Sequence, residues 1–442
     1  MLDSVAQTLH TILESWSGVK DCSEEDLETV LTSYRSLRNG CAGSPEFQTS
    51  CTANTLLLDD THKIMTFLLT LENDDAALCV RVGTQFLGNL IVNHSDNQLL
   101  VWDKFSSLLK KMLASQDTKL KNFSAMVLYN IMLGHPDLCA PKPHGIDLFA
   151  TFLKFAVLDS EFGVYATELF LSTPDVFEES YPTLDIECRL KLLEVCHDIL
   201  LSMPENVAKV DDKKKKEMAK SEPTRKILMS SLKFMVEQLK RRSFLILKTS
   251  AHYADSLEPR EVSKLIEVVA CASSKEPYVT ELQSDKSLLI DCTFLLKSIH
   301  MAGQAGDNDF SPIHKLSELN LSDKSVASEI EHHPAFGFKA SLVRLLGNLC
   351  WRHKENQDQV RELDGIPLLL DCCSIDARNP LMIQWVVLAV RNLCENNKEN
   401  QGVIAALNRE GTIDTRMLHD LGLTIHADEK SNKIRIVPLK NK

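Results

Sequence analysis

The sequence predicts an all-α fold built as a helical-repeat solenoid, and three observations carry this. First, a string within Ala340–Ala405 occurs twice. Asn348-Leu349-Cys350 with Lys354-Glu355-Asn356-Gln357 returns as Asn392-Leu393-Cys394 with Lys398-Glu399-Asn400-Gln401, at an offset of 44 throughout. A fixed period of about 40–47 residues on helical patterns marks stacked helical units, each touching only its neighbours. Second, a chain of 442 residues exceeds what one compact core usually holds. Third, 16 Gly and 15 Pro are few for that length, which favours long helices over tight turns and argues against an all-β fold.

Composition narrows the function classes. The net charge is −12 and the pI about 5.7, so nucleic acid and anionic lipid are poor default partners. The 13 Cys are odd in number and none forms a Cys-x-x-Cys pair. Most, such as Cys79, Cys139, Cys196, Cys292, Cys350 and Cys394, stand among apolar residues at helix-face spacing. Free cysteine behaves there as a small buried hydrophobe, which fits a reducing compartment and not a disulfide framework. The start, MLDSVAQTLHTILESW, lacks a basic segment before its apolar residues; it reads as an amphipathic helix, not a signal peptide. No run reaches the roughly 18 apolar residues that a membrane span needs. The expected location is cytosol or nucleus.

Taken in order, residues 1–203 read as N-terminal helical repeats. Leu2, Val5, Leu9, Ile12, Leu13 and Trp16 form one apolar stripe that Gly18 ends. Ser23 then caps a second helix carrying Leu27, Val30, Leu31 and Tyr34, with Asp26 at the capping-box position. Residues 39–54 contain Gly40, Gly43 and Pro45 and are expected as a loop or broken repeat. Helices follow over Leu56–Leu71 and Ala76–Val92. The second holds Gly88-Asn89-Leu90, with Asn97-Gln98 eight residues after Asn89, the spacing of the C-terminal copies. A weaker copy centres on Asn130, 41 residues after Asn89. More helices are expected over 146–171 and 183–203. Residues 204–224 form a charged linker; its Lys213–Lys216 run has the look of a nuclear-import signal, but flanking acids dilute it.

Residues 225–301 resume the repeats. Ile227–Lys248 is apolar on one side and basic on the other, a pattern shared by packed helices and by membrane- or calmodulin-binding ones. Residues 302–335 read as a long loop, with a turn of helix at His314–Leu319 and a proline-directed phosphosite at Ser311-Pro312. Residues 336–422 are the C-terminal repeats. The 44-residue unit resolves into three helices: Asn356–Leu363; Pro367–Cys373, opened by Pro367 after an Asp364-Gly365 turn in which Gly supplies the positive φ; and Leu381–Cys394, capped by Asn379 and opened by Pro380. The third is apolar almost all round and is expected to be buried on both sides, Trp385 included. In the tail, 423–442, Leu423–Ile425 and Ile434–Val437 alternate around a polar turn, which allows a small β-hairpin capping the last repeat.

A short helix, a turn, a second helix and a long third helix ending in Asn-Leu make an armadillo-like repeat. Within that class, the last hundred or so residues resemble the ataxin-10 family. Gly365-Ile366-Pro367, Asn379-Pro380, Trp385, Arg391-Asn392-Leu393, Glu399-Asn400-Gln401, Leu421-Gly422-Leu423 and Lys433–Ile436 match in order and spacing. The resemblance implies a non-catalytic scaffold for protein–protein interaction acting in cytokinesis, neurite outgrowth and neuronal survival. It also implies cell-division kinases, a glycosyltransferase and cilium-base proteins as partners, and cytoplasmic, perinuclear, midbody and centrosome or cilium-base locations. Exposed Cys or a bare terminal repeat would allow homo-oligomers.

Asn89, Asn130, Asn348 and Asn392 are the candidate site residues, each near the end of a third helix. In importin alpha an equivalent asparagine ladder binds extended peptides, and an amide suits that task because it donates and accepts. That groove places Trp four residues before each Asn, where this chain has Gln85, Met126, Arg344 and Leu388. The two readings are therefore a structural ladder and a cargo adaptor's peptide ladder. The repeated Asn-Gln is expected to cap helix starts. No phosphate loop, nucleophile elbow or metalloprotease motif is present. His332-His333 stand at a loop end without further ligands, Cys372-Cys373 are expected to pack, and His197, after Cys196, is expected on the polar face of its helix, so the sequence predicts no enzyme activity, cofactor or metal site.

Overall fold

The computed structural model describes residues 2–18, 22–203, 226–250, 257–306, 308–313, 333–374, 376–406, 423–428 and 433–438. The chain forms two compact units, Met1–Leu184 and Asp185–Lys442. This boundary falls earlier than the expected break after residue 203, because Ile186–Ser202 packs on the helix Leu257–Ala272 of the second unit. The charged linker 204–224 lies outside the described residues.

The first unit contains α1 (Leu2–Ser15), α2 (Glu24–Cys41), α3 (Pro45–Ala53), α4 (Thr55–Leu68), α5 (Asp74–Leu90), α6 (Ser95–Leu113), α7 (Thr118–Gly134), α8 (Pro143–Val157), α9 (Glu161–Leu171) and α10 (Val176–Ser180). Its spine is a row in which α2 packs on α5, α5 on α7 and α7 on α9. The apolar stripes drive this: Leu27, Val30, Tyr34 and Leu37 of α2 and Val80, Phe86, Leu87 and Leu90 of α5 are buried. Side-chain oxygens of Ser23, Ser44, Asn54, Asn73, Asp117 and Ser160 cap helix starts, satisfying amides that have no partner within the helix. At the Ser23 start the Asp26 carboxylate accepts from the Trp16 indole at 3.2 Å, which ties α2 to the end of α1. Residues 39–54 are not a loop. Gly40 sits inside the last turn of α2, where a Cβ would lie 2.5 Å from the Phe47 ring, and Gly43 turns the chain at a φ of +72° before Pro45 opens α3. These residues mark a tight junction of two helices, not the absence of helix.

The second unit repeats the plan with α11 (Ile186–Ser202), α12 (Met229–Arg242), α13 (Leu257–Ala272), α14 (Tyr278–Ser284), α15 (Lys286–Gln304), α16 (Phe338–Leu349), α17 (Lys354–Glu362), α18 (Gly365–Asp371), α19 (Met382–Cys394) and α20 (Lys398–Ala406). Its row runs α11, α13, α16, α19. The expected Ile227–Lys248 helix is shorter, and a 3-10 stretch, Ser243–Ser250, follows it. Much of its basic face is engaged within the unit. Lys233 pairs with Glu281 at 2.6 Å, Lys240 with Asp285 at 3.1 Å, and Arg242 with Glu261. Glu261 is fully buried and also holds Arg189 at 3.0 Å, so one carboxylate ties α11, α12 and α13 together.

Several details of the 44-residue unit differ from expectation. The positive φ of the first turn belongs to Asp364, at 57°. Gly365 is the first residue of α18, where a Cβ would stand 2.5 Å from Val360 Cγ1, so close packing explains it and Pro367 falls in the third helical position. Pro380 lies outside α19, and Leu381, in the left-handed region at 61°, precedes it. Asn379 does not cap α19; its Oδ1 accepts from the Ala340 amide at 3.2 Å and so caps the start of α16. Nor is α19 buried on both sides: Leu381, Ile383 and Val387 are exposed, because among the described residues no further long helix follows α19 in the row.

The beginning of the expected loop is folded. Arg378 donates to the Asn308 and Ser311 carbonyls at 2.9 and 3.1 Å, the Ile313 amide donates to Asp376 at 3.0 Å, and Phe310 and Ile313 are buried. The expected helical turn at 314–319 lies outside the described residues. At the C-terminus β1 (Leu423–Asp428) and β2 (Lys433–Pro438) form an antiparallel hairpin with Ile425 opposite Ile436. Residues 407–422, between α20 and the hairpin, lie outside the described residues.

Candidate functional site

The repeated asparagines hold neighbouring members of the row together. Asn89 Nδ2 of α5 donates to the Arg38 carbonyl of α2 at 2.9 Å. Asn392 Nδ2 of α19 donates to the Gly347 carbonyl of α16, also at 2.9 Å. The acceptor precedes the equivalent asparagine (Asn39 or Asn348) by one residue in both cases, so the bond is the same one in two copies. Asn348 Nδ2 donates to Ser273 Oγ at 3.0 Å, at the end of α13. In all three the amide oxygen accepts no hydrogen bond from a described residue. Asn130 is half-buried, and its side chain bonds to no described residue.

The Asn-Gln pairs close the end of the preceding third helix instead of capping the start of their own. Asn97, Asn356 and Asn400 donate to the carbonyls of Leu90, Leu349 and Leu393 at 3.0, 2.9 and 2.8 Å. Gln98, Gln357 and Gln401 donate to Ile91, Cys350 and Cys394. Every bond spans seven residues, the distance back to the last-turn carbonyls that a helix leaves unpaired. The helix starts themselves are capped by His94, His353 and Asn397, each accepting from the amide three residues on.

A second use of glutamine escaped the sequence reading. Gln48, Gln283 and Gln357 reach the next third helix and donate to a carbonyl pair three residues apart. The pairs are Asn89 and Val92, Asn348 and Trp351, and Asn392 and Glu395. Thus α3 and α14 are the short first helices of repeats that carry no Asn-Gln string. The available signal was a lone Gln amid a short amphipathic segment.

Asn348 and Asn392 come together in one cavity of about 470 Å³ on the row of long helices in the second unit. Ser273, Ser274 and Val279 form one wall, Arg344, Asn348 and Trp351 of the α16 segment the middle, and Trp385, Leu388, Arg391 and Asn392 of α19 the other. Leu388 and Asn392 share a helix face by their spacing of four. The Arg344 guanidinium lies 4.9 Å over the Trp385 ring, and Arg352 lies 4.9 Å over Trp351. Arg344 Nη2 approaches Ser274 Oγ at 3.4 Å, while its buried Nε has no partner. Trp385, expected in the core, is therefore a groove residue. The aromatic surfaces missing four residues before each Asn are supplied from other positions, and guanidinium groups already cover them.

Other candidate residues serve structure. Ser311 Oγ donates to the Gly303 and Gly306 carbonyls and accepts from the Asn308 amide at 3.0 Å. His333 Nδ1 accepts from the Ala335 amide at 3.2 Å. Cys372 is buried and Cys373 exposed. His300 Nδ1 lies 3.9 Å from Cys372 Sγ, but Lys339 Nζ occupies the same nitrogen at 3.1 Å and burial pushes the thiol up, the reverse of an activated nucleophile. Among the described residues no group of three His, Cys, Asp or Glu is placed to hold a metal ion, and no helix is long and apolar enough to cross a membrane.

This geometry defines a helical-repeat protein with a solvent-open groove on its spine. Residues 338–437 match the family described as the Spinocerebellar ataxia type 10 protein domain. Ataxin-10 of Xenopus tropicalis is 31% identical over 415 residues, 92% of this chain and 80% of that relative. Ataxin-10 of Homo sapiens is 30% identical over 423 residues, 92% and 82% of the two chains. The Ataxin-10 homolog of Dictyostelium discoideum is 45% identical over 107 residues, 24% of this chain and 18% of its own. The chain belongs to the ataxin-10 family.

Proposed function

We propose that the chain is a non-catalytic scaffold for protein–protein interaction, with the groove between α13, α16 and α19 as its working surface. The observation that carries this reading is the open cavity of about 470 Å³ on the row of long helices, lined by amides, aromatic rings and guanidinium groups. Repeat solenoids work through such extended surfaces. Family membership supports roles in cytokinesis, neurite outgrowth and neuronal survival. It also supports cell-division kinases, a glycosyltransferase and cilium-base proteins as partners, at cytoplasmic, perinuclear, midbody and centrosome or cilium-base locations. Ser311 would be a kinase target only after its loop hydrogen bonds open. The test is depletion followed by rescue. Loss of the protein should impair cytokinesis or neurite extension, the wild-type chain should restore it, and a folded Trp385→Ala chain should not. Equal rescue by both chains would remove the groove from the function, and normal division and neurites after depletion would remove the cellular roles.

A cargo-type adaptor is the second reading, favoured by the free amide oxygens of Asn348 and Asn392 in one cavity. Replacing both with Ala should then abolish peptide binding while circular dichroism stays unchanged; retained binding assigns the pair to the scaffold alone.

A further inference from the structure

The occupant of the groove can be specified further, on the reading that the groove is the working surface. Four arginines of the second unit meet a carboxylate within the fold: Arg189 and Arg242 share Glu261, Arg361 meets Asp358 and Arg352 meets Glu395. Arg344 and Arg391, which line the cavity, pair with no carboxylate among the described residues. Of the acids in the same segments, Glu267 pairs with Lys264 at 2.7 Å, and Glu395 lies 3.8 Å from Arg352 with its other oxygen buried and unpartnered. The buried Arg344 Nε is a donor without an acceptor, which is costly unless a ligand completes it.

The aromatic rings point the same way. An incoming lysine or arginine would find both Trp faces already covered by guanidinium groups and would meet like charge. A carboxylate instead gains charge-assisted hydrogen bonds from a group that stacking on Trp385 already holds in place. The oxygens of Asn348 and Asn392 face no donor of the stack and can accept from the backbone N–H groups of an extended chain. Val279 and Leu388 offer apolar contact beside them.

We infer that the groove takes an extended acidic segment of a partner protein, one Asp or Glu carboxylate lying between Arg344 and Arg391. The segment's backbone donates to the amide oxygens of Asn348 and Asn392. Arg391 is exposed, so changing it leaves the packing intact.

The test is fluorescence anisotropy on the full chain with a short labelled peptide alternating Glu with Leu and Ser, and with counterparts carrying Lys or Gln in place of Glu. The acidic peptide should bind, weaken steeply as salt rises, and lose about tenfold or more in affinity with Arg391→Glu and with Arg344→Gln. The Lys peptide should not bind. Lys- or Gln-peptide binding that equals the acidic one and falls with Trp385→Ala would overturn the acidic preference while leaving the groove as a peptide site. Acidic binding unchanged by Arg391→Glu would also overturn it. If no peptide binds at any charge, the groove reading falls too.

Discussion

The Asn89 and Asn348–Asn392 regions share a skeleton but not a surface. Both use an asparagine to bond the preceding long helix, an Asn-Gln pair to close the asparagine's own helix, and a glutamine clamp onto that helix from a short helix before it. They part at the position four residues before the asparagine. Gln85 there accepts from Arg38 at 2.7 Å within its own stack, whereas Arg344 lies over Trp385 with an unpartnered nitrogen. The asparagine thus belongs to the architecture in both regions, and groove chemistry comes from residues around it. A ladder motif alone therefore says little about what binds.

The comparison can be broken at the clamps first. Gln357 donates to three carbonyls across two repeats, while Gln98 donates to one. Gln357→Leu should cost about 3 kcal/mol and Gln98→Leu about 1 kcal/mol, since buried carbonyls lose their donors. Local opening free energies from hydrogen exchange suit this two-unit chain better than a single melting curve. Equal costs would mean that the C-terminal clamp carries no special share.

Next come the paired glycines. A Cβ on Gly347 would lie 2.9 Å from Ala389 Cα and Cβ, which cannot move without the backbone, whereas one on Gly88 would crowd the flexible Met126 terminal methyl at 2.8 Å and touch Val127 Cγ2 at an ordinary 3.7 Å. Gly347→Ala should destabilise by about 2 kcal/mol and Gly88→Ala by under about 1 kcal/mol. The reverse order in thermal melts would show that the α16–α19 approach is looser than described. A smaller effect belongs to the shared bond: Asn89→Ala and Asn392→Ala should each cost about 1 kcal/mol, alike in both units. A large difference between them would end the equivalence drawn here.

The smallest effect is one of pH. Burial raises the Asp358 carboxyl, but hydrogen bonds from Asn397, Arg361 and Lys354 outweigh it and hold the group at about 2, below the ordinary 3.8. A carboxylate depressed in the fold stabilises fully above its unfolded value, and the contribution is lost as pH falls through the folded one. Stability of the α17–α20 segment should therefore drop from pH 4 towards pH 2, and Asp358→Asn should flatten that slope. An unchanged slope in the variant would remove Asp358 from the acid response.

Much of this was legible in the sequence. The 44-residue string gave the helical-repeat class, and the tail's alternation gave the hairpin. Three features were not legible, each for a physical reason. Gly40, Gly43 and Pro45 read as a loop, yet glycine also permits close helix contact and proline also opens helices. The all-apolar Leu381–Val390 segment read as buried on both sides, but periodicity cannot say whether a further element covers the second face. The groove joins residues up to 119 positions apart, Ser273 to Asn392, and no local pattern links them.

The most direct measurement is hydrogen exchange on the full chain with and without the acidic peptide. Added protection should be confined to the end of α13, to residues 344–352 and to residues 385–394, leaving α5 around Asn89 unchanged. Protection at α5, or none anywhere, would contradict the account, because the shared asparagine skeleton would then bind ligand in both regions or in neither.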